Sequence, residues 1–247
     1  MAGNSLQDYR SKIGSFNVNC QSSCPMNGHM VLLQILRFGL LLWIFILILL
    51  SGDIKLNPGP NLVNGLLLNT QSLKSVNAQR NKMAQLQSLM SLKNALVVCL
   101  TETWLKPDIP SDELFPFDSF NVYRKDRDGH GGVLVAIHHS IRSKFRADLV
   151  TDASDHNEII VVELRLPKLP KIALVNFYRP PSDNSAECRQ NFKSCLDSIR
   201  LAGFEHIWVM GDFNLPNMDP STGLPLNNAF HCDDYYNIFQ ENGLVHL

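Results

Sequence analysis

Ile207-Trp208-Val209-Met210-Gly211-Asp212-Phe213-Asn214 decides how this chain is read. The four apolar residues fit a buried strand. Asp212 and Asn214 then stand where the strand leaves its sheet. Proteins of the α/β class place much of their chemistry at the carboxyl edge of a sheet. There Asp212 is able to take a proton from water, and Asn214 is able to donate hydrogen bonds to an oxyanion. The same eight residues also describe a strand followed by an Asp/Asn turn. The rest of the chain must decide between the two.

The chain has 247 residues, enough for one large domain and an extension. Its apolar share of 45% is that of an ordinary globular protein. A formal net charge of −1 excludes a general pull toward nucleic acid, so such a contact would need a local patch. The six cysteines, Cys20, Cys24, Cys99, Cys188, Cys195 and Cys232, show no dense disulfide spacing and fit a reducing compartment. Cys20, Cys24 and His29 supply at most half of a zinc site. No internal repeat is present.

Residues 1–29 are polar without a clear period and read as disordered. Residues 30–51, MVLLQILRFGLLLWIFILILLS, are the most apolar stretch. The uninterrupted part, Phe38 to Leu50, is shorter than a bilayer requires, and a longer span would carry Gln34 and Arg37. Three readings stay open: a membrane anchor, a signal-like apolar helix, and a nascent segment acting inside the ribosome. A buried soluble helix fits poorly, because this one would be apolar on every side. Residues 52–61 contain Asp53-Ile54-Lys55-Leu56-Asn57-Pro58-Gly59-Pro60, which resembles a 2A-like ribosome-skipping peptide. That resemblance implies that the Gly59–Pro60 bond is not made and that a second product begins at Pro60. Lys55 stands where the family usually carries Glu; a Pro/Gly linker is the alternative. With skipping, the downstream product belongs in the nucleus or cytoplasm; without it, the apolar segment keeps the chain at a membrane. Cell-free translation tests this: two products split near Pro60 are expected, and one full-length product would rule skipping out.

From Leu62 onward strand and helix patterns alternate. Leu66-Leu67-Leu68 reads as a short strand ending at Asn69. Ala78 to Lys93 reads as an amphipathic helix with Met83, Leu86, Leu89, Met90 and Leu92 apolar. Ala95 to Leu100 is a buried strand running into Thr101-Glu102-Thr103-Trp104. A Gly-rich turn at Gly129, Gly131 and Gly132 precedes a strand from Val133 to Ile137. Strands Ile159 to Leu166 and Ile172 to Phe177 read as a hairpin. A helix capped by Ser182 or Asp183 comes next and ends at Gly203, and a last helix covers Tyr235 to Glu241. The pattern of a further strand opens as the chain reaches Leu247.

Asn69, Glu102, Tyr178 and Asp212 with Asn214 thus fall at strand ends, which points to one shared site. The set is rich in oxygen and lacks a His or Cys cluster. Such donors suit a hard cation, Mg²⁺ or else Mn²⁺, held by one or two carboxylates and waters. A metal and a water-activating Asp212 suit phosphodiester hydrolysis.

Leu68-Asn69-Thr70-Gln71-Ser72, Thr101-Glu102-Thr103-Trp104-Leu105, Gly131-Gly132-Val133, Tyr178-Arg179-Pro180-Pro181 and Gly211-Asp212-Phe213-Asn214 occur in this order. In that order they resemble the endonuclease/exonuclease/phosphatase superfamily, and more closely the apurinic-type endonuclease domain of non-LTR (LINE-like) retrotransposons. The resemblance covers Leu62 to Leu247, and skipping peptides also occur upstream of such domains. It implies that Glu102 holds the metal with Asn69 beside it. It implies further that Tyr178 contacts the scissile phosphate, Asp212 activates water and Asn214 positions the phosphate. DNA is the implied partner, and a complete element would encode a reverse transcriptase domain downstream. Arg124, Lys125 and Arg127 match no catalytic motif; they suit either DNA backbone or a solvated charged loop. Trp104 reads as packing rather than base stacking.

The implied fold class is a layered α/β sandwich of two mixed β-sheets flanked by helices, over residues 62–247. The family's site closes with a late Asp and a Ser-Asp-His after the Asp212 motif, so the domain reads as incomplete at the C-terminus, with weak or absent activity expected. Ser154-Asp155-His156 spells the tripeptide upstream of the central motif and is read as a decoy, and His246 lacks the neighbours. Two other readings remain: a non-catalytic remnant or membrane-anchored binding protein, and a phosphatase or phospholipase of the same superfamily.

Overall fold

The computed structural model describes residues 13–18, 63–77, 80–115, 119–127, 129–150, 158–219, 221–226 and 230–245. The apolar segment 30–51, the Gly59–Pro60 junction, the Cys20, Cys24, His29 set, Ser154-Asp155-His156 and His246 lie outside the described residues. Among the described residues no helix is long and apolar enough to cross a membrane. The chain divides into two units, residues 17–63 and residues 1–16 with 64–247, and the strands from Val76 onward lie wholly in the second.

The strands are β1 (Ile13–Val18), β2 (Val63–Asn69), β3 (Val76–Asn77), β4 (Arg80–Asn81), β5 (Val97–Thr101) and β6 (Phe120–Lys125). Then come β7 (Val133–His138), β8 (Arg142–Phe145), β9 (Glu158–Arg165), β10 (Ile172–Tyr178) and β11 (His206–Asp212). The helices are α1 (Lys82–Lys93), α2 (Ala186–Leu201) and α3 (Phe230–Glu241). One mixed sheet runs β2-β5-β7-β6, with β1 next to β2 at its edge; the second runs β11-β10-β9-β8. In the first, β2 and β5 are parallel and β7 is antiparallel to both β5 and β6. In the second, β10 and β11 are parallel and the remaining pairs antiparallel. This is the layered α/β sandwich expected from the sequence.

Strand alternation sorts the apolar residues into three layers. Leu66, Leu68, Val98, Leu100, Leu134 and Ala136 pack with Leu86 of α1. Ile159, Val161, Ala173, Val175 and Phe177 pack with Phe192 and Leu196 of α2 and Tyr235 of α3. Residues of opposite parity, among them Val97, Cys99, Val135, Ile160, Val162 and Leu174, are buried and fill the layer between the sheets. Strands covered on both faces are apolar throughout, which is why β5 and β10 read so clearly. Asn176 crosses this middle layer: its Nδ2 donates to the Leu100 and Leu134 carbonyls of the facing sheet at 3.0 and 3.1 Å.

Strand β1 lies within residues 1–29, and its Ile13, Phe16 and Val18 suit a strand. Several expectations need correcting. Helix α1 begins at Lys82, because the Asn81 side chain accepts the Ala84 N–H as N-cap. Leu92 is 75% exposed. At about 100° per residue it lies opposite Met83, so only Met83, Leu86, Leu89 and Met90 form the inward face. The N-cap of α2 is Ser185, which accepts the Cys188 N–H, rather than Ser182 or Asp183. Strands β6 and β8 had no clear reading, since their charged and polar residues lie at sheet edges. The central strand β11 is half-buried rather than buried, because among the described residues it pairs with β10 alone.

Candidate active site

The same alternation positions the polar strand ends. Leu66 and Leu68 face α1, so Asn69 faces the other sheet. Phe177 faces α2, so Tyr178 turns inward, and Glu158, which pairs with Tyr178, turns the same way. Ile207 and Val209 pack toward the helices, so Asp212 also turns inward, beside Tyr178 in register. Asn69, Glu158, Tyr178 and Asp212, with Glu102 just past β5, therefore collect at one end of the layer between the sheets.

Asn69 joins the two sheets there. Its Nδ2 donates to Glu102 Oε1 at 2.7 Å and to Asp212 Oδ2 at 2.8 Å. Its own oxygen accepts the Gln71 N–H at 3.3 Å. In this geometry Asn69 aligns the two carboxylates; ligating a cation through its oxygen would need the amide to turn over. Tyr178 is 6% exposed and hydrogen-bonds Glu102 through its hydroxyl. Burial first, then the charges of Glu102, Glu158 and Asp212, push the phenol well above its ordinary value. Tyr178 is thus held protonated, as a hydrogen-bond donor.

The Gly211-Asp212-Phe213-Asn214 turn is built by its own side chains. Phe213 points back into the core, with ring centroids 4.8 Å from Phe177, 5.3 Å from Phe192 and 5.3 Å from Phe239. That leaves Asp212 and Asn214 on the other side. Asp212 Oδ1 accepts the Asn214 N–H at 3.0 Å, an Asx turn that suits Asn214 at φ +48°. Asn214 Nδ2 donates to the Arg179 carbonyl at 2.7 Å. In return the Arg179 guanidinium, nearly buried, donates to the carbonyls of Phe213, Asn214 and Asp183. Arg179 therefore holds the turn, a role that its place in Tyr178-Arg179-Pro180-Pro181 did not reveal.

Glu158 was also missed. It is 1% exposed, accepts the Gly132 N–H at 2.6 Å and pairs with Arg127 at 3.1 Å. Burial raises the pKa of its carboxyl, with Arg127 and the Gly132 N–H working the other way. The available signal was an acidic residue directly before the apolar run Ile159 to Val162. The basic candidates divide. Arg124 is occupied by the Lys106 carbonyl and Asp126, at 2.8 and 2.7 Å. Arg127 stands at the site's margin on Glu158, and Lys125 ends β6 between them. Trp104 packs edge-on against His130 at 4.3 Å, as packing rather than a stacking platform would.

Among the described residues no group of three or more His, Cys, Asp or Glu side chains gathers into a metal cage. Mg²⁺ does not need one: one or two carboxylates with waters suffice. Glu102 and Asp212 are half-buried oxygen donors meeting at one amide, and this donor set fits a hard cation.

The fold is similar to those of several solved structures. The AP endonuclease LMAP from Leishmania major is 19% identical over 72% of this chain and 66% of that one, with a TM-score of 0.53. An AP endonuclease from Archaeoglobus fulgidus is 14% identical over 72% and 70%, with a TM-score of 0.50. The catalytic domain of Xenopus laevis APE2 is 16% identical over 71% and 67%, also at 0.50. At these identities the likeness concerns the fold, and the chain spans 66% of the length of the Leishmania enzyme. No curated protein matches the chain in sequence. A model of the Endonuclease/Exonuclease/phosphatase family runs across residues 14–244, over both sheets and every polar strand end of the site, and the chain belongs to that family.

Proposed function

We propose that this chain carries a Mg²⁺-dependent endonuclease domain that nicks DNA, of the kind found in non-LTR retrotransposons. The observation supporting hydrolysis of a phosphodiester is the meeting of Asn69, Glu102, Tyr178 and Asp212 at one end of the sandwich. In this reading Asp212 takes the proton from the attacking water, and its alignment comes from Asn69 and the Asn214 N–H. Protonated Tyr178 would turn its one O–H from Glu102 to a phosphate oxygen. Asn214 keeps one amide hydrogen for the phosphate after serving Arg179. Glu102 would hold Mg²⁺, an ion on which the family typically depends. The ion would neutralise charge on the phosphate. The five ordered motifs and the 2A-like run support the retrotransposon branch by resemblance. They also imply a downstream reverse transcriptase domain as partner, with DNA as substrate.

The test is nicking of supercoiled plasmid by the purified chain. Slow formation of open circles is expected with Mg²⁺ and none with EDTA, and a phosphomonoester should release no phosphate. Equal conversion with and without Mg²⁺ would overturn the proposal, and phosphate release in place of nicking would move it to the phosphatase branch.

A further inference from the structure

The segment that carries Glu102 has an unusual backbone. Glu102 and Trp104 both lie at φ +50°, in the left-handed region that side chains disfavour. Two such residues in three persist only if the surroundings fix them. On one side the loop after β2 does so: the Ser72 and Leu73 N–H groups donate to the Glu102 and Thr103 carbonyls, both at 2.9 Å. On the other side the Gly131-Gly132 turn accepts the Thr103 N–H at Gly132 (3.1 Å) and the Trp104 N–H at Gly131 (2.8 Å).

That turn has little intrinsic order, since Gly131 and Gly132 sit at φ +120° and +89°. Glu158 holds it, through an Oε2 that takes the Gly132 N–H. The fit is close: a Cβ on Gly131 would stand 2.3 Å from Glu158 Oε1, and one on Gly132 would stand 2.5 Å from Thr103 Oγ1. A neutral acceptor would avoid the cost of a buried charge. Glu158 meets that cost with Arg127, a partly exposed side chain that pairs with the carboxylate at 3.1 Å.

We infer that Glu158 is a positioning residue for Glu102, acting through the Gly131-Gly132 turn and the Thr103 and Trp104 amides. The inference rests on the reading of Glu102 as the residue that meets the metal. Outer groups that orient a metal ligand typically change metal affinity by 10–100-fold when removed.

The test uses the full chain, with Mn²⁺ titrated by calorimetry and amide hydrogen exchange followed across residues 101–105. Glu158→Ala is expected to weaken Mn²⁺ binding by about tenfold or more and to speed exchange at Thr103 and Trp104. Glu158→Gln, which keeps an acceptor for Gly132, should stay within about threefold of the parent on both readouts. If Glu158→Ala fails to fold by circular dichroism, Glu158→Asp replaces it, since the shorter side chain keeps the charge but withdraws from Gly132. Unchanged binding and unchanged exchange in the Ala or Asp variant would overturn the inference. Glu102→Gln separates the two levels. If it binds Mn²⁺ like the parent, the metal reading of Glu102 has failed. Exchange then decides alone: faster exchange at Thr103 and Trp104 than in Glu158→Gln sustains the positioning role, and equal exchange ends it.

Discussion

Asp212→Asn is expected to lower plasmid nicking by about 10²–10⁴-fold, the usual contribution of a positioned general base, while leaving the protein folded. The substitution keeps the shape and removes the basic oxygen. Two donors face Asp212, the Asn69 amide and the Asn214 N–H, and an asparagine has only one oxygen to offer them. That mismatch costs about 1 kcal/mol. Against it, Glu102 and Asp212 share one Asn69 nitrogen as like charges, and removing one relieves their repulsion. The two effects oppose each other, so the melting temperature should move by no more than about 4 °C. Measured together, nicking rate and thermal unfolding separate chemistry from stability. A variant that nicks like its parent would show that Asp212 is not the base.

Gly211→Ala is expected to act in the opposite way, on the fold before the chemistry. Gly211 lies at φ +144°, and a Cβ there would fall 1.8 Å from the Phe177 carbonyl oxygen of the neighbouring strand. The obstacle is backbone, so no rotamer change relieves it. Overpacking costs about 1–3 kcal/mol and a disfavoured backbone angle about as much again. Together they are a large part of the roughly 5–15 kcal/mol that stabilises a typical domain. At about 2–4 °C per kcal/mol, the melting temperature should drop by roughly 10 °C or more. Circular dichroism on heating measures it, and a shift under about 3 °C would contradict the close approach. The glycine is therefore required by the meeting of β10 and β11, one residue before Asp212.

How much of this was legible in the sequence depended on how the signal was spread. Runs such as Val97 to Leu100 and Ile172 to Phe177 are apolar on both faces, and a strand buried on both sides announces itself. Asn69, Glu102, Tyr178 and Asp212 were legible because each is a polar residue closing an apolar run. Arg179 and Glu158 were not given roles, because their partners are backbone groups far along the chain: the carbonyls of residues 213 and 214, and the N–H of Gly132. Backbone partners leave no side-chain pattern to read. Arg124 differs: its neighbours suited either DNA backbone or a charged loop, and its guanidinium is taken by Asp126 and the Lys106 carbonyl.

Asn176 has a mechanical consequence. Glu102 and Asn69 ride on one sheet, Tyr178 and Asp212 on the other, so the site exists only while the two sheets keep their alignment. Apolar contact between sheets is non-directional, whereas a hydrogen bond fixes the position of one sheet on the other. Asn176 works as a dowel driven through the sandwich one layer beneath the site, two residues before Tyr178, into the carbonyls of Leu100 and Leu134. A slip between the sheets would turn the 2.8 Å bond from Asn69 to Asp212 out of line, with every strand pairing intact. Shear between the sheets, more than unfolding of either, is the deformation to which this arrangement is most sensitive.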